Sequence, residues 1–352
     1  DMSHLISVMV HTPAHSGIGG ALTYESDSAH TPGTLVRVPL GKRELLGVVW
    51  DATATAPVAT TEGTPPSEPS ALQLRPIASV LEGIAPLNTH WRQLVQFAAS
   101  YYQRSAGEVA LAALPSQLRD LTPEQWARRL KRKPKATSPY DGAVPHIPQA
   151  TEEQAQALAD IATNTGPFLL FGNTGSGKTE VYLRAAQAVL EQDANAQILV
   201  MVPEINLTPQ LEERFRARFC PQWGADCLVA MHSSLTPAQR LKNWLAAHSG
   251  EARIVLGTRM AVFASMPHLQ LIVVDEEHDP SYKQQEGARY SARDLAVYRG
   301  QREGAKVILG SATPSLESWH HSRPATVSEP AGRYMRLAMP SRVGQGALPL
   351  VR

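Results

Sequence analysis

The segment that most constrains the fold is a strand-like run followed by a glycine-rich loop and a helical pattern. Residues 168–171 are apolar, residues 172–179 read GNTGSGKT, and apolar residues recur at helical spacing from residue 180 onward. This is the G-x-x-x-x-G-K-[ST] spacing of a phosphate-binding loop, in the strand, loop and helix context that such a loop requires. The chain is therefore expected to place the loop between the end of a strand and the start of a helix.

The residue types in this loop follow from phosphate chemistry. The predicted phosphate-binding residues are Gly172, Asn173, Thr174, Gly175, Ser176, Gly177, Lys178 and Thr179. Glycines let backbone N–H groups surround a phosphate, and the helix N-terminus adds positive potential. We expect Lys178 to reach the β and γ phosphates and the Thr179 hydroxyl to bind Mg²⁺. The alternative interpretation is a glycine-rich turn that binds no nucleotide.

Apolar runs alternate with helical patterns from residue 151 onward. The strand-like runs are residues 168–171, 198–202, 228–231, 254–256, 269–274 and 307–309. Residues 180–192 and 237–247 lie between such runs and have helical periodicity. This alternation predicts βα units, and therefore an α/β domain with a mainly parallel sheet.

An acidic segment directly follows one of these runs. Residues 271–274 are apolar, and Asp275, Glu276, Glu277 and His278 come next. Ligands of open α/β folds bind at the carboxyl ends of the strands. We therefore expect Asp275 to hold Mg²⁺, directly or through water, and Glu276 to orient and deprotonate the attacking water. The alternative is that these acids only begin a helix. With the loop, they predict hydrolysis of ATP or GTP.

The residues before position 151 form two compositional regions. Residues 1–115 contain β-branched runs at 33–40 and 46–50, a floppy loop at 52–70 and a helical pattern at 91–104. They predict a small β-rich domain. Residues 116–150 carry several prolines, and residues 128–135 include six basic side chains and no acid, which predicts a linker. The basic run is either a solvated charged stretch or a contact for nucleic acid phosphates.

Composition excludes some functions. Lys and Arg exceed Asp and Glu by one, so binding of nucleic acid, a membrane or an acidic substrate has to be local. Two cysteines, Cys220 and Cys227, are too few for a four-ligand zinc site or a disulfide framework, which favours a cytoplasmic location. No run approaches the ~18 apolar residues of a membrane span, so no membrane partner is expected. Because the first residue is Asp1, we expect a trimmed start.

Several segments after the predicted strands resemble helicase motifs. Residues 275–278 resemble the second motif of superfamily 2 helicases, residues 310–315 resemble the third, and residues 202–210 and 257–259 resemble the segments that hold the single-strand backbone. More narrowly, residues 174–183, 203–210 and 275–295 are similar to the PriA family of replication-restart helicases. The resemblance is strong over residues 151–318. It implies a 3′-end DNA-binding domain at 1–115 and a first RecA-like lobe at 151–325.

The resemblance also implies roles for residues outside the phosphate site. DNA contacts are implied for Thr208, Thr258, Arg259, Tyr282, Lys283, Arg289, Tyr290 and Arg293. Coupling of hydrolysis to DNA movement is implied for Ser311, Ala312 and Thr313, a γ-phosphate or inter-lobe role for His278, and adenine recognition for Gln154. Hydroxyls and cations hold phosphates without reading bases, and aromatic rings stack on bases. Packing is the alternative for Tyr282 and Tyr290, and an ordinary surface histidine is the alternative for His278.

The family implies an ATP-dependent 3′ to 5′ DNA helicase that initiates primosome assembly at stalled or collapsed forks. ATP and Mg²⁺ are its implied cofactors, and forked DNA, single-stranded DNA, single-strand binding protein and primosome proteins are its implied partners. The family also has a winged helix, paired-cysteine zinc sites and a second RecA-like lobe. Residues 116–150 are few for a winged helix, the zinc ligands are absent from residues 1–352, and residues 326–352 are expected to begin the connection to a second lobe.

We therefore expect nucleotide binding with weak turnover from this chain. The alternative is a module that binds fork DNA and nucleotide without productive hydrolysis. A P-loop kinase or transporter ATPase would leave residues 311–313 unexplained. In the first domain, Thr23 stands where family members commonly have an Asp that is implicated in holding the 3′ hydroxyl.

Overall fold

The computed structural model describes residues 3–11, 21–51, 74–132, 139–142, 145–173, 177–283 and 291–340. By its internal contacts the chain divides into two compact units, Asp1–Lys133 and Pro134–Arg352. The division falls inside the segment that the sequence predicts to be a linker. The predicted loop at 52–70 lies outside the described residues.

The first unit is built on a five-stranded sheet. Its strands are β1 (His4–Val10), β2 (Ala21–Ser26), β3 (Leu35–Leu40), β4 (Arg43–Trp50) and β5 (Ser79–Val80), followed by helices α1 (Thr89–Tyr101), α2 (Ala106–Ala113), α3 (Ser116–Asp120) and α4 (Pro123–Lys131). The strand order is β2-β1-β4-β3-β5, and neighbours are antiparallel. Buried β-branched residues such as Val8, Val36 and Val49 form its core, as β-branched side chains suit a pleated, half-buried surface. The predicted β-rich domain is confirmed.

Part of the predicted linker is helical instead. Helix α4 begins with a capping box, in which Thr122 and Gln125 each accept a hydrogen bond from the other's backbone N–H. Trp126 is buried and its indole N–H donates to the carbonyl of Glu82 at 3.0 Å. The basic side chains that suggested a linker include Arg128, which lies in the last turn, where cations favour a helix. The sequence interpretation gave the basic run more weight than the helix-start signal of Thr122, Pro123 and Gln125.

The second unit contains a seven-stranded sheet. Its strands are β6 (Phe168–Gly172), β7 (Gln197–Met201), β8 (Leu228–Met231), β9 (Ile254–Gly257), β10 (Leu269–Val274), β11 (Lys306–Ser311) and β12 (Met335–Met339). The order is β12-β6-β11-β10-β7-β9-β8, and neighbouring strands pair in parallel. The α/β prediction is confirmed, and this architecture is consistent with a RecA-like helicase fold. Strand β12 lies in the segment that the sequence assigned to a connection.

Helices and short 3₁₀ turns connect these strands. The helices are α5 (Glu152–Thr163), α6 (Lys178–Gln192), α7 (Pro209–Trp223), α8 (Pro237–Ser249), α9 (Ala292–Glu303) and α10 (Leu316–His321), and the 3₁₀ turns are Glu204–Asn206, Ala225–Cys227, Arg259–Phe263 and Pro280–Tyr282. The central strands are covered on both faces and read as continuous apolar runs, as buried parallel strands do. Because all strands point the same way, the segments that follow β6, β7, β9, β10 and β11 share one edge of the sheet.

We expect Trp126→Ala to destabilise the first unit by about 3 kcal/mol or more, because it leaves a cavity and removes the bond to Glu82. Urea unfolding followed by circular dichroism measures the change. Arg128→Ala, at an exposed position of the same helix, is the control and should stay within about 0.5 kcal/mol of the parent. Equal stability of the two variants would mean that α4 is not part of the folded unit.

Candidate functional site

The glycine-rich loop leaves β6 at Gly172 and enters α6 at Lys178. Gly177, which precedes the helix, has a left-handed φ of 89° that favours glycine. The Lys178 side chain is buried, and its ammonium donates to the carbonyl of Gly172 at 2.6 Å. Because a carbonyl carries no net charge, Lys178 keeps its positive charge and can still attract an anion. Thr179 is half-buried in the first turn of α6.

The remaining predicted loop residues are only partly described. Asn173 is exposed at the end of β6. Thr174, Gly175 and Ser176 lie outside the described residues, so their phosphate contacts stay predictions.

The acid after β10 meets the helix that begins with Lys178. The Tyr182 hydroxyl, one turn after Lys178, donates to Asp275 Oδ1 at 2.7 Å. Burial raises the pKa of Asp275, while this bond and the Lys178 charge lower it. Burial and the neighbouring Asp275 raise the pKa of Glu276, and Lys178 again lowers it. One ammonium therefore acts on both acids, and the loop and the acids belong to one electrostatic site.

The chain turns sharply after Asp275. Glu276 has a φ of 47°, the left-handed region that non-glycine residues rarely adopt. The next residue, Glu277, donates its backbone N–H to the carbonyl of Gly310 at 3.0 Å. Such backbone strain persists only where the surroundings enforce it, and it concentrates at functional sites.

Gly310 makes room for the contact between α6 and the acids. A Cβ atom on Gly310 would lie 1.6 Å from the Tyr182 hydroxyl oxygen, so a side chain there would displace the hydroxyl from Asp275. The sequence interpretation missed Tyr182. Its only signal is a polar group one helical turn after Lys178, which looks the same as an aromatic residue that packs in a core.

The Ser-Ala-Thr segment after β11 contacts the acidic segment through several groups. His278 Nδ1 lies 2.9 Å from Ser311 Oγ, and His278 Nε2 lies 3.1 Å from Thr313 Oγ1. The Ala312 backbone N–H donates to the Glu276 carboxylate and lowers its pKa. All three residues predicted to couple hydrolysis to movement therefore lie against the predicted catalytic residues.

Gln154 lies beside the phosphate loop. Its side chain is buried and its amide N–H donates to the carbonyl of Gly177 at 3.1 Å. Its amide oxygen accepts from the backbone N–H of Thr151 at 2.9 Å, in a capping box that starts α5. Gln154 thus holds the loop end of the site, whereas adenine recognition by this residue stays a prediction.

The predicted phosphate contacts for DNA follow neighbouring strands. Thr208 is exposed, and its hydroxyl caps α7 by accepting from the backbone N–H of Leu211 at 3.2 Å. Its hydroxyl hydrogen can still be donated to a phosphate. Thr258 and Arg259 follow β9, which pairs with β7. Lys283 is exposed, and its backbone pairs with that of Ser291 in an isolated antiparallel β-bridge. These residues lie along the same sheet edge as the acids.

Tyr282 occupies a different environment from the one expected for a base-stacking residue. Its side chain is 1% exposed; its hydroxyl donates to the backbone carbonyl of Asp275 at 2.5 Å, and the carbonyl oxygen of Met201 lies 3.2 Å away. The ring is therefore unavailable for stacking in this structure, which favours the packing alternative. Arg289 and Tyr290, the other residues predicted in this loop, lie outside the described residues.

Arg293 is held by carboxylates at the start of α9. Its guanidinium lies 2.9 Å from Glu277, 3.1 Å from Asp294 and 3.3 Å from Glu317. These partners outweigh its desolvation and raise its pKa. The structure thus places Arg293 in an internal ion network, where its charge is already neutralised, and DNA contact by this residue stays untested.

A tryptophan lies next to the strand that leads into the phosphate loop. Trp319 of α10 packs edge-on against Phe171 of β6, with ring centroids 5.4 Å apart. The guanidinium carbon of Arg336 lies 3.3 Å from the centroid of the Trp319 ring. Trp319 therefore connects the segment after Thr313 to the base of the loop.

The donor set fits Mg²⁺ bound together with a nucleotide. Among the residues that the structure describes, no three or more His, Cys, Asp or Glu side chains are grouped as a metal site. Mg²⁺ beside a nucleotide needs only one or two protein oxygens, because phosphates and water supply the others. The Thr179 hydroxyl and the Asp275 carboxylate are oxygen ligands of this kind, on the elements that meet through Tyr182.

No described helix is long and apolar enough to cross a membrane.

Comparison with known proteins agrees with this geometry. Residues 151–321 match the DEAD/DEAH box helicase family and residues 7–115 match the 3′DNA-binding domain family. The replication restart protein PriA of Treponema pallidum is 32% identical over 339 residues, which cover 94% of this chain and 47% of the relative. The chain belongs to the PriA family.

Other members of the PriA family match a shorter region more closely. The replication restart protein PriA of Haemophilus influenzae is 44% identical over 195 residues, 55% of this chain and 25% of the relative. The chain spans less than half the length of these curated relatives. Among solved structures, DUF1998 helicase MrfA bound to DNA and AMPPNP is 18% identical, with a TM-score of 0.40, over 54% of this chain and 27% of that chain.

We expect Asp275→Asn to stabilise the second unit at pH 7 without nucleotide. The raised pKa means that ionised Asp275 reduces stability as pH rises through that pKa, whereas Asn stays neutral and can still accept from Tyr182. The midpoint of thermal unfolding should rise by about 2–4 °C per kcal/mol gained.

The difference should shrink in acid, where the parent carboxyl is also neutral. Asp226→Asn, at an exposed position, is the control and should leave the midpoint unchanged. A midpoint for Asp275→Asn at or below that of the parent at pH 7 would contradict the assignment of an unfavourable buried charge.

Proposed function

We propose that this chain binds ATP with Mg²⁺ and one DNA strand, as part of a 3′ to 5′ replication-restart DNA helicase. The observation that carries the proposal is the hydrogen bond from Tyr182 to Asp275. It joins the phosphate-loop helix to the acidic segment, so that Lys178 and the two acids serve one site. The matches to the helicase family and to the PriA relatives support this activity.

Each residue of this site has a task in phosphoryl transfer. Lys178 would bind the β and γ phosphates, and Thr179 and Asp275 would hold Mg²⁺, which neutralises charge on those phosphates. Glu276 would orient the attacking water and accept its proton, for which a raised pKa is suitable because it brings the base closer to neutral pH. His278 would report the state of the γ phosphate to Ser311 and Thr313, to which its ring is bonded.

Residues of the same sheet edge would hold the DNA backbone; Thr208 and Lys283 are exposed, Arg259 is half-buried and Thr258 is buried. Thr208, Thr258, Arg259 and Lys283 offer hydroxyl and cationic donors, which bind phosphates of any sequence. Ser311 to Thr313 follow β11, which lies between β6 and β10, and would couple the two ligands through their contacts with the acidic segment. The first unit would bind the 3′ end of a nascent strand, although Thr23 of β2 is an exposed hydroxyl residue where the family commonly has an acid.

The partners that this function requires are forked and single-stranded DNA, single-strand binding protein and primosome proteins, and its compartment is the cytoplasm. The second candidate is a module that binds fork DNA and nucleotide without productive turnover. Phosphate release in the presence of forked DNA separates the two. Release that depends on Glu276 favours the helicase, whereas tight binding without release favours the module.

We expect Lys178→Ala to weaken binding of a fluorescent ATP analogue with Mg²⁺ by about ten- to a hundredfold, because a charge-assisted hydrogen bond to phosphate is lost. Fluorescence anisotropy measures the affinity. Lys242→Ala, at an exposed lysine of α8, is the matched control. Equal affinity of Lys178→Ala and the control would remove the phosphate-site assignment.

We expect Arg259→Ala to weaken binding of single-stranded oligonucleotides to a similar extent for all sequences. Loss of one phosphate contact should also reduce the salt dependence, the slope of log K against log salt, by about 0.7. Titrations at several salt concentrations measure both quantities. Arg302→Ala, at an exposed arginine of α9, should leave the slope unchanged. A sequence-dependent loss without a change of slope would argue for contact with bases.

A further inference from the structure

Helix α9 lies between the acidic segment and the turn that carries Arg259. It packs against the 3₁₀ turn Arg259–Phe263 and against strands β10 and β11. A Cβ atom on Gly300 would lie 2.2 Å from Val307 Cγ2, so the absence of a side chain lets α9 approach β11 closely. Closely packed interiors have low compressibility and transmit strain, so a displacement at one end of α9 can reach its neighbours.

The first turn of α9 is attached to the acidic segment. Arg293 donates to Glu277 Oε2 at 2.9 Å, and the Glu277 side chain is fully buried. Glu277 also accepts from the backbone N–H of Ser315 and the hydroxyl of Ser318, both at 3.1 Å. Glu277 therefore connects three elements: the segment that bears Asp275, the start of α9 and the start of α10.

The last turns of α9 are attached to the 3₁₀ turn Arg259–Phe263, which we call the DNA-binding turn after its proposed role. Arg299 is 2% exposed; its Nε donates to Glu303 at 2.6 Å and its terminal nitrogen donates to the carbonyl of Val262 at 2.8 Å. Val262 belongs to the 3₁₀ turn that starts at Arg259, directly after Thr258. The planar guanidinium fixes both bonds in one geometry, which an ammonium would not do.

We propose that α9 transmits the state of the nucleotide site to the DNA-binding turn, and that Arg299 is the positioning residue at the receiving end. The proposal rests on the proposed function, because it needs both ligands. A displacement of Glu277 on nucleotide binding moves the start of α9 through Arg293. Because α9 is closely packed, the displacement reaches Val262 through Arg299 and changes the position of Thr258 and Arg259. Arg299 itself touches neither ligand.

The double variant Arg299→Met with Glu303→Gln tests this role. It removes the bond to Val262 without leaving a buried carboxylate unpaired, which a single substitution would do. Arg302→Met, on the exposed side of the same helix, is the matched control. For each protein, the affinity for a fluorescent single-stranded oligonucleotide is measured with and without saturating Mg²⁺ and a non-hydrolysable ATP analogue. The ratio of the two affinities is the coupling factor.

We expect a coupling factor of about 5- to 150-fold in the parent and the control, and a factor close to one in the double variant. The affinity of the double variant for the nucleotide analogue alone should equal that of the parent, which a general loss of structure would not permit. A parental coupling factor in the double variant overturns the proposal, and so does a parent that binds both ligands without coupling. A parent that binds neither ligand refutes the proposed function itself.

Thermal unfolding shows whether the double variant is folded. If it has no cooperative unfolding transition, Arg299→Lys is tested instead, because lysine keeps the positive charge beside Glu303 but cannot form both bonds of the planar guanidinium. A reduced coupling factor in that variant, with unchanged nucleotide affinity, supports the positioning role. An unchanged coupling factor rejects it.

Discussion

The hydrogen bond between Tyr182 and Asp275 is the interaction on which the candidate site depends, because it fixes the phosphate-loop helix against the acid that follows β10. Several features of the fold make this bond possible. Parallel pairing brings the ends of β6 and β10 to one edge, with β11 between them. Gly310, at that point of β11, leaves the space that the hydroxyl occupies. The hydrogen bond between Tyr182 and Asp275 thus depends on core packing, on the strand order and on the absence of a side chain at Gly310.

The same edge contains unfavourable elements that the rest of the unit has to offset. Asp275 and Glu276 are adjacent acids whose pKa values are raised by burial, and Glu276 has a left-handed backbone. Each is unfavourable for the isolated protein. Burial of the continuous apolar core beneath the edge offsets the destabilising effect of these residues.

The α/β fold could be predicted from the sequence because buried parallel strands read as uninterrupted apolar runs, and the strand and helix that flank the glycine-rich segment could be predicted because its spacing is nearly unique. Other features had no such signal. The capped helix α4 was hidden by its basic residues, and β12 by the alternation of Arg336 with apolar neighbours. Tyr182 was missed, and the contacts that Tyr282 and Arg293 make could not be predicted, because they depend on which distant backbone or carboxylate lies opposite. Sequence spacing along one element does not contain that information.

The position of Trp319 gives the protein a built-in optical signal. Its indole touches Phe171 at the base of the phosphate loop and lies under the Arg336 guanidinium, a cation that influences tryptophan emission. Trp319 also lies a few residues after Ser311 and Thr313, whose hydroxyls are hydrogen-bonded to His278. Because the chain has six tryptophans, a variant in which the other five are replaced by Phe would isolate the Trp319 emission and follow rearrangements around it in rapid-mixing experiments without a dye.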